Sequence, residues 1–222
     1  MNKNEFSTQY RAAMGWNAPV VTDEDLMFEY PVCLYRFSDG KTVTAVCEDI
    51  PAEEVPAEKS LKAILAALFD MDEVSAQHET VLGFFAPDRI DGEELPPVMD
   101  EDILEELLSA LSDDDRVRGE VTIEDDFTAS IIMEGHMIAA AGAVMESDKF
   151  ADISLCVHPE MRGKGLGLRV LRCLLHRIQQ AGCEPVYRVE DTNIPSVKLA
   201  KAAGLAVGFE MDGALLTFPE EI

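Results

Sequence analysis

The run Val157-His158-Pro159-Glu160-Met161-Arg162-Gly163-Lys164-Gly165-Leu166-Gly167 constrains this chain more than any other part of it. An apolar, β-prone stretch, Ala151 to Val157 (ADISLCV), leads into the run. Leu166 to Gln180 (LGLRVLRCLLHRIQQ) leaves it, with apolar residues at Leu168, Leu171, Leu174, Leu175 and Ile178 that fit a period of 3.6 far better than 2. The chain therefore passes from a strand into an amphipathic helix through a turn crowded with glycine. Glycines at alternate positions permit close backbone approach and unusual dihedrals. Successive N–H groups of the turn, with the free donors of the helix's first turn, make a nest for an anion such as pyrophosphate. Arg162 and Lys164 add positive charge in an otherwise acidic chain. The competing reading is a plain connection with two solvated basic residues, and spacing alone divides evenly between the two. A Walker A loop is excluded, because no Gly-Lys-Ser/Thr follows at the required spacing. A dinucleotide fingerprint fits poorly: Glu184 or Glu190 imitates the acidic residue downstream, but the G-x-G-x-x-G order is absent.

The rest of the chain supplies partners for this βα unit. Pro31 to Val46 reads as a hairpin through Ser38-Asp39-Gly40-Lys41, and the acidic stretch Glu48 to Glu58 as a loop. Lys59 to Phe69 and Asp102 to Leu111 have helical spacing, and Asp88 to Pro97 reads as a second loop. Ser112-Asp113-Asp114-Asp115 reads as the turn that ends the second of these helices. Phe127 to Met133 and Met137 to Met145 read as strands joined at Glu134-Gly135-His136. Beyond the long helix come a short strand at Pro185 to Val189 and a helix from Ile194 to Ala203 with Pro195 in its first turn. A closing hairpin is expected at Phe209 to Phe218, turning at Asp212-Gly213. The first thirty residues carry no clear pattern. The layout is α/β (α+β) with a mixed sheet, and it shows no internal repeat.

Charge narrows the partners. Lys and Arg number 18 against 43 Asp and Glu, a formal net charge of -25. Such a surface repels phosphate backbones and anionic lipid, so neither nucleic acid nor membrane is expected, and it tilts a small-molecule acceptor toward a cation. Cys33, Cys47, Cys156, Cys173 and Cys183 form no C-x-x-C pair, which reads as reduced core thiols. The N-terminus has no apolar h-region, and no stretch reaches bilayer length, so a soluble cytoplasmic protein is expected. His78, His136, His158 and His176 are scattered, so no metal is expected.

Two segments together resemble a known family. Val157-His158-Pro159 followed by Arg162-Gly163-Lys164-Gly165-Leu166-Gly167 and a long helix looks like the cofactor segment of the GCN5-related N-acetyltransferase (GNAT) superfamily. Its Arg-x-x-Gly-x-Gly/Ala core is met by Arg162, Gly165 and Gly167. Downstream, Glu190 to Ala200 with Gly204-Leu205 is similar to the family's second motif, in which an Asn, here Asn193, opens a short helix. The resemblance covers about Val121 to Phe218 and implies an acyl-CoA N-acyltransferase fold: a central mixed β-sheet with a splayed strand pair and flanking helices. A domain over 113–222 would bind acetyl-CoA, and 1–112 would form a separate lobe or an acceptor-side cap. Dimerisation is common in the family, and this sequence leaves it open.

The resemblance also implies a mechanism. The pantetheine arm would lie where the strand ending at Val157 splays from its neighbour, beside Cys156 and Val157. A main-chain N–H near Val157 would polarise the thioester carbonyl. Arg162, Gly163, Lys164, Gly165, Leu166 and Gly167 would hold the pyrophosphate, with Asn193 and Ser196 also on the cofactor. A primary amine would attack directly in a ternary complex, so a base is needed. Glu190, at the end of the fifth strand, is slightly favoured over Asp152 and over Glu146 in the preceding loop; each competes with being a solvated carboxylate. The departure from the family is Ala200. Seven residues after the motif's Asn, many members carry a tyrosine that protonates the leaving thiolate, whereas here no tyrosine follows Tyr187. The alternative is therefore a non-catalytic coenzyme-A-binding or regulatory module on the same fold, and a third reading is an acidic interaction protein that works through its N-terminal part.

Several eye-catching residues have plainer readings. Cys156 with His158 suggests a nucleophile and base, but two residues along a strand keep their tips apart and no orienting partner is evident, so packing and turn-shaping are expected. Trp16 reads as an anchor for the N-terminal arm. Met133, Met137 and Met145 read as core filler. Tyr35 and Phe37 share a strand face and read as core.

Overall fold

A computed structural model describes residues 1–27, 30–56 and 60–218. In chain order the elements are α1 (Lys3–Ala13), β1 (Val20–Thr22), β2 (Val32–Phe37), β3 (Thr42–Val46), α2 (Leu61–Leu68), β4 (Ser75–Phe85), α3 (Glu101–Ser109), α4 (Asp113–Arg118), β5 (Phe127–Met133), β6 (His136–Met145), β7 (Phe150–Val157), α5 (Leu166–Gln180), β8 (Glu184–Glu190), α6 (Ile194–Ala202) and β9 (Ala206–Thr217). They pack as two compact units, neither continuous in sequence. The first comprises Met1, Phe84–Arg188 and Ile194–Ala206; the second comprises Asn2–Gly83, Val189–Asn193 and the described part of Val207–Ile222. The position 112/113, where sequence suggested a boundary, falls inside the first unit, between α3 and α4.

The first unit carries a mixed sheet in the order β8-β7-β6-β5, with β7 and β8 parallel and the other pairs antiparallel. Its opening hairpin turns through Glu134 and Gly135, both at positive φ. One face of the sheet is covered by α5, whose Val170, Leu171, Leu174, Leu175 and Ile178 are fully buried. The opposite face receives Leu104 and Leu107 of α3, which cluster with Val98, Met137, Ala140 and Cys156. The segment Asp88 to Pro97 is irregular, as its Pro and acidic content predicts, yet it is fixed along α5. Arg177 donates to the Leu95 and Thr128 carbonyls, Arg172 Nε to the Asp91 carbonyl at 3.1 Å, and Gln179 Oε1 accepts from the Ile90 N–H at 2.9 Å.

The second unit holds a mixed sheet in the order β1-β3-β2-β9-β4. Val32 and Leu34 of β2 pack with Leu61, Ile64 and Leu65 of α2. The alternate residues Tyr35 and Phe37 join Phe6, Tyr10, Trp16 and Phe209 in an aromatic cluster, so Trp16 does tie the N-terminal arm down. Arg11 lies over the Phe37 ring at 4.7 Å and grips Asp39 with two hydrogen bonds of 2.6 and 3.1 Å. Burial opposes ionisation of Asp39, but the Arg11 guanidinium and the Lys41 N–H outweigh it and hold the carboxyl below its ordinary range. A depressed folded pKa gives stability that is present above the unfolded value of about 3.9 and lost as pH falls through the folded one. Asp39→Asn should therefore lower stability at neutral pH and flatten the acid limb of a Tm-against-pH curve; an unchanged limb would remove the pair from the acid response.

Three sequence expectations are corrected. Phe209 to Phe218 is no hairpin: β9 runs straight through Asp212-Gly213. Gly213 is required there because a Cβ would lie 1.7 Å from Tyr30 Oη, and Asp212 because Arg36 and Thr80 bind it. The Asp113-Asp114-Asp115 run is no terminating turn but the first turn of α4, capped by Ser112, where acidic side chains suit the helix's positive end. Met133 is half exposed and not core, while Met137 is buried. The hydrophobic helix expected at Lys59 to Phe69 is α2, although Lys59 lies outside the described residues, as do the last two positions of the expected loop at Glu48 to Glu58. The patternless first thirty residues hold α1, capped by the Asn2 side chain.

Candidate active site

The site follows from where two parallel strands stop pairing. The β7–β8 register runs Phe150↔Glu184, Ala151↔Pro185 and Asp152↔Val186 and goes no further, although β7 continues to Val157 and β8 to Glu190. On its other edge β7 stays paired with β6 as far as Ala139↔Val157. The His158 N–H donates to the Ile138 carbonyl at 2.9 Å, toward β6. Successive N–H groups of a strand alternate between its edges. The N–H groups of Leu155 and Val157 thus face the edge that β8 has left.

The turn after β7 is built to expose its backbone. His158 Nδ1 accepts the Glu160 N–H at 3.3 Å and caps a single 3₁₀ turn at Pro159–Met161, a turn-shaping role. Gly163 and Gly165 sit at φ 74° and 78°, a left-handed conformation costly for any residue with a Cβ. A Cβ at either would meet no protein atom within 4 Å, so the space before them is open. Gly165 caps α5 without a side-chain bond, and the N–H groups of Leu166, Gly167 and Leu168 find no acceptor among the described residues. Gly167 differs: a Cβ there would touch Val157 Cγ2 at 3.4 Å and Leu199 Cδ2 at 3.5 Å. Lys164 is exposed, its Nζ beside Met161 Sδ at 3.2 Å. Arg162 turns back, Nε donating to the Val157 carbonyl at 3.3 Å and Nη2 to Asp115 Oδ2 at 3.0 Å. It braces the turn against β7 and α4, a role for Asp115 that no local sequence signal announces.

The remaining residues separate. Cys156 is buried against α3, and burial pushes its thiol up to about 12. Its N–H and C=O lie on the β6 side of the strand, where it pairs with Ala140, so Cys156 presents neither thiol nor backbone to the opening, a correction to its expected cofactor contact. Asp152 lies at the other end of β7 from Val157, five residues away or roughly 17 Å. Its Oδ2 accepts from Arg188 Nε at 3.1 Å and Nη2 at 2.7 Å. Glu146 is held by the same Nη2 at 2.7 Å. Glu190 closes β8; its carbonyl accepts the Asn193 N–H at 3.0 Å and its Oε2 the Thr192 hydroxyl at 3.4 Å. Ser196, in the first turn of α6, hydrogen-bonds the Tyr187 phenol, whose burial raises its pKa. Ala200 is fully buried and brings no hydroxyl. Among the described residues no three His, Cys, Asp or Glu converge as metal ligands would, and no helix is long and apolar enough to cross a membrane.

Comparison with known proteins bears on the family and the fold. Residues 94–205 match the model of the acetyltransferase (GNAT) family. Among solved structures, the chain is similar to a GNAT-family protein of Novosphingobium aromaticivorans (20% identity, 66% of this chain and 68% of that one, TM-score 0.52). It is also similar to an acetyltransferase from the GNAT family of Colwellia psychrerythraea (15% identity, 71% and 62%, TM-score 0.51). A third is a GCN5-related N-acetyltransferase from Sphaerobacter thermophilus (16% identity, 71% and 57%, TM-score 0.51). At these identities the likeness is one of fold. No curated protein matches the sequence.

Proposed function

Because this chain belongs to the acetyltransferase (GNAT) family, we propose that it transfers the acetyl group of acetyl-CoA to a primary amine by direct attack in a ternary complex. The observation that carries the reading is the parting of β7 and β8, with the Val157 N–H facing the gap at the end of the strand that leads into the Gly163–Gly165 nest. The nest suits the pyrophosphate: its open N–H groups supply donors, and Lys164 supplies an exposed cation. Acetyl-CoA supplies the activated acyl group when bound. The Val157 N–H is placed to stabilise negative charge developing on the thioester oxygen. A buried thiol as basic as Cys156 is unsuited to covalent catalysis, which favours direct transfer.

Glu190 is the proposed base, acting directly or through water. Asp152 is the poorer candidate, because its carboxylate is taken up by Arg188 far from Val157. The leaving thiolate, with an ordinary thiol pKa near ~8.5, departs without the tyrosine that Ala200 replaces. The acceptor proposed is a small cationic amine, attracted by a net charge of -25. Five cysteines, none of them in a disulfide, fit a reducing, cytoplasmic setting.

The test is acetyl-CoA turnover across a panel of polyamines, aminoglycosides, amino acids and peptide N-termini. Glu190→Gln should lower kcat about 10²-fold while leaving acetyl-CoA affinity within about threefold of wild type. An unchanged kcat would sink Glu190 as base. Saturable cofactor binding without turnover on any amine would favour the second reading, a coenzyme-A-binding module, for which the buried Ala200 speaks.

A further inference from the structure

The first unit contains an ion-pair group that the acetyl-transfer reading leaves unused. Arg188 lies on β8, Asp152 on β7, and Glu146 directly after β6, so one guanidinium on β8 reaches two carboxylates, one on the neighbouring strand and one at the end of the strand beyond it. Its position matches the end of the ladder. The last β7–β8 pair is Asp152↔Val186, and Arg188 is the next residue of β8 on the same face as Val186. The side chain reaches back to Asp152 from just beyond the point where main-chain pairing stops. Both carboxylates are largely covered, with 13% of the Glu146 side chain and 23% of that of Asp152 exposed. Asp152 Oδ1 is buried with no hydrogen-bond partner among the described residues, so the carboxylate depends on what Oδ2 receives from Arg188. Without the guanidinium, two largely covered carboxylates would lose the cation that they share. A forked, planar cation can serve both at once, which a single ammonium does less well.

We propose that Arg188 is a positioning residue whose grip on Asp152 and Glu146 fixes where β7 and β8 part, and so the shape of the gap beyond. Its consequence for cofactor binding rests on the reading of that gap as the acetyl-CoA site. Asp152 is then a structural partner of the gap and not the proton acceptor.

The test compares Arg188→Ala, Arg188→Lys and wild type by hydrogen exchange on the free proteins and by calorimetric titration of acetyl-CoA. In Arg188→Ala the amides of Ile153 and Val186 should exchange on the order of tenfold faster, while those of the β5–β6 hairpin in the same sample stay as in wild type. Acetyl-CoA should bind roughly five- to thirtyfold more weakly. Arg188→Lys, which keeps one charge, should fall between and covers the case in which the alanine variant fails to fold. Unchanged exchange at Ile153 and Val186, or acceleration spread evenly over the sheet, overturns the inference. So does localised acceleration with acetyl-CoA affinity within twofold of wild type. Should the wild type itself bind no acetyl-CoA, the functional reading fails, and the exchange comparison still decides whether Arg188 sets the parting point.

Discussion

Acetyl-CoA should bind the Gly165→Asp variant at least about 100-fold more weakly than wild type, with little change in fold. Two effects combine. A non-glycine residue held at φ 78° costs about 1 kcal/mol, and Asp is among those that tolerate it best. The larger effect is charge. A carboxylate about 4 Å from a pyrophosphate oxygen is repelled by up to ~4 kcal/mol at the effective dielectric of a protein surface. Solvent screening reduces this, and ~2.7 kcal/mol suffices for 100-fold. The fold should tolerate the change because a Cβ at Gly165 meets no protein atom within 4 Å. Gly165→Ala carries the strain without the charge and should lose only about five- to tenfold, so the two variants separate backbone from electrostatics. Gly167 is a worse place for the same experiment, since a side chain there presses on Val157 and Leu199. Calorimetric titration of acetyl-CoA measures both. Affinity for Gly165→Asp within threefold of wild type would mean that the nest does not hold the pyrophosphate.

The parts of this molecule that were legible in its sequence are those set by local forces. The span of α5 follows from period 3.6 bounded by glycine at both ends, and the β5–β6 hairpin from two apolar runs around Glu134-Gly135. The glycine turn declared its chemistry because left-handed dihedrals and open space are conditions that glycine alone meets cheaply. Long-range reasons were invisible. Asp212-Gly213 has the composition of a turn, but it stands in the middle of β9 because Tyr30 lies on the glycine and Arg36 holds the aspartate, partners well over a hundred residues away. The Asp113-Asp114-Asp115 run pointed to a loop until Ser112 is counted as a cap. In the site, the same division holds. Arg162 and the glycines were found by motif, whereas the grip of Arg188 on Asp152 and Glu146 assembles three residues that only strand pairing brings together. Asp152 could be suspected as a base from its strand, but not excluded until its partner was seen.

Val157→Pro should lower kcat by about 10²- to 10³-fold, because the substitution deletes a main-chain donor and sets a ring methylene in its place. In most strands a proline would break the ladder. Here the Val157 N–H faces the edge that β8 has left, so no sheet hydrogen bond is lost, and the β6 side keeps its anchor through the His158 N–H to the Ile138 carbonyl. The fixed φ of proline lies within the extended range, and the residue before it is already in a strand, the conformation that proline prefers there. Some packing against the first turn of α5 is altered, and Val157→Ala controls for that: it keeps the N–H, trims the same side chain, and should retain kcat within about threefold. The contrast isolates a backbone group that side-chain substitution cannot reach. Loss of kcat in both variants would assign the effect to packing. Wild-type kcat in a folded Val157→Pro protein would place the charge-stabilising donor elsewhere, with the Leu155 N–H, on the same open edge of β7, the next group to delete.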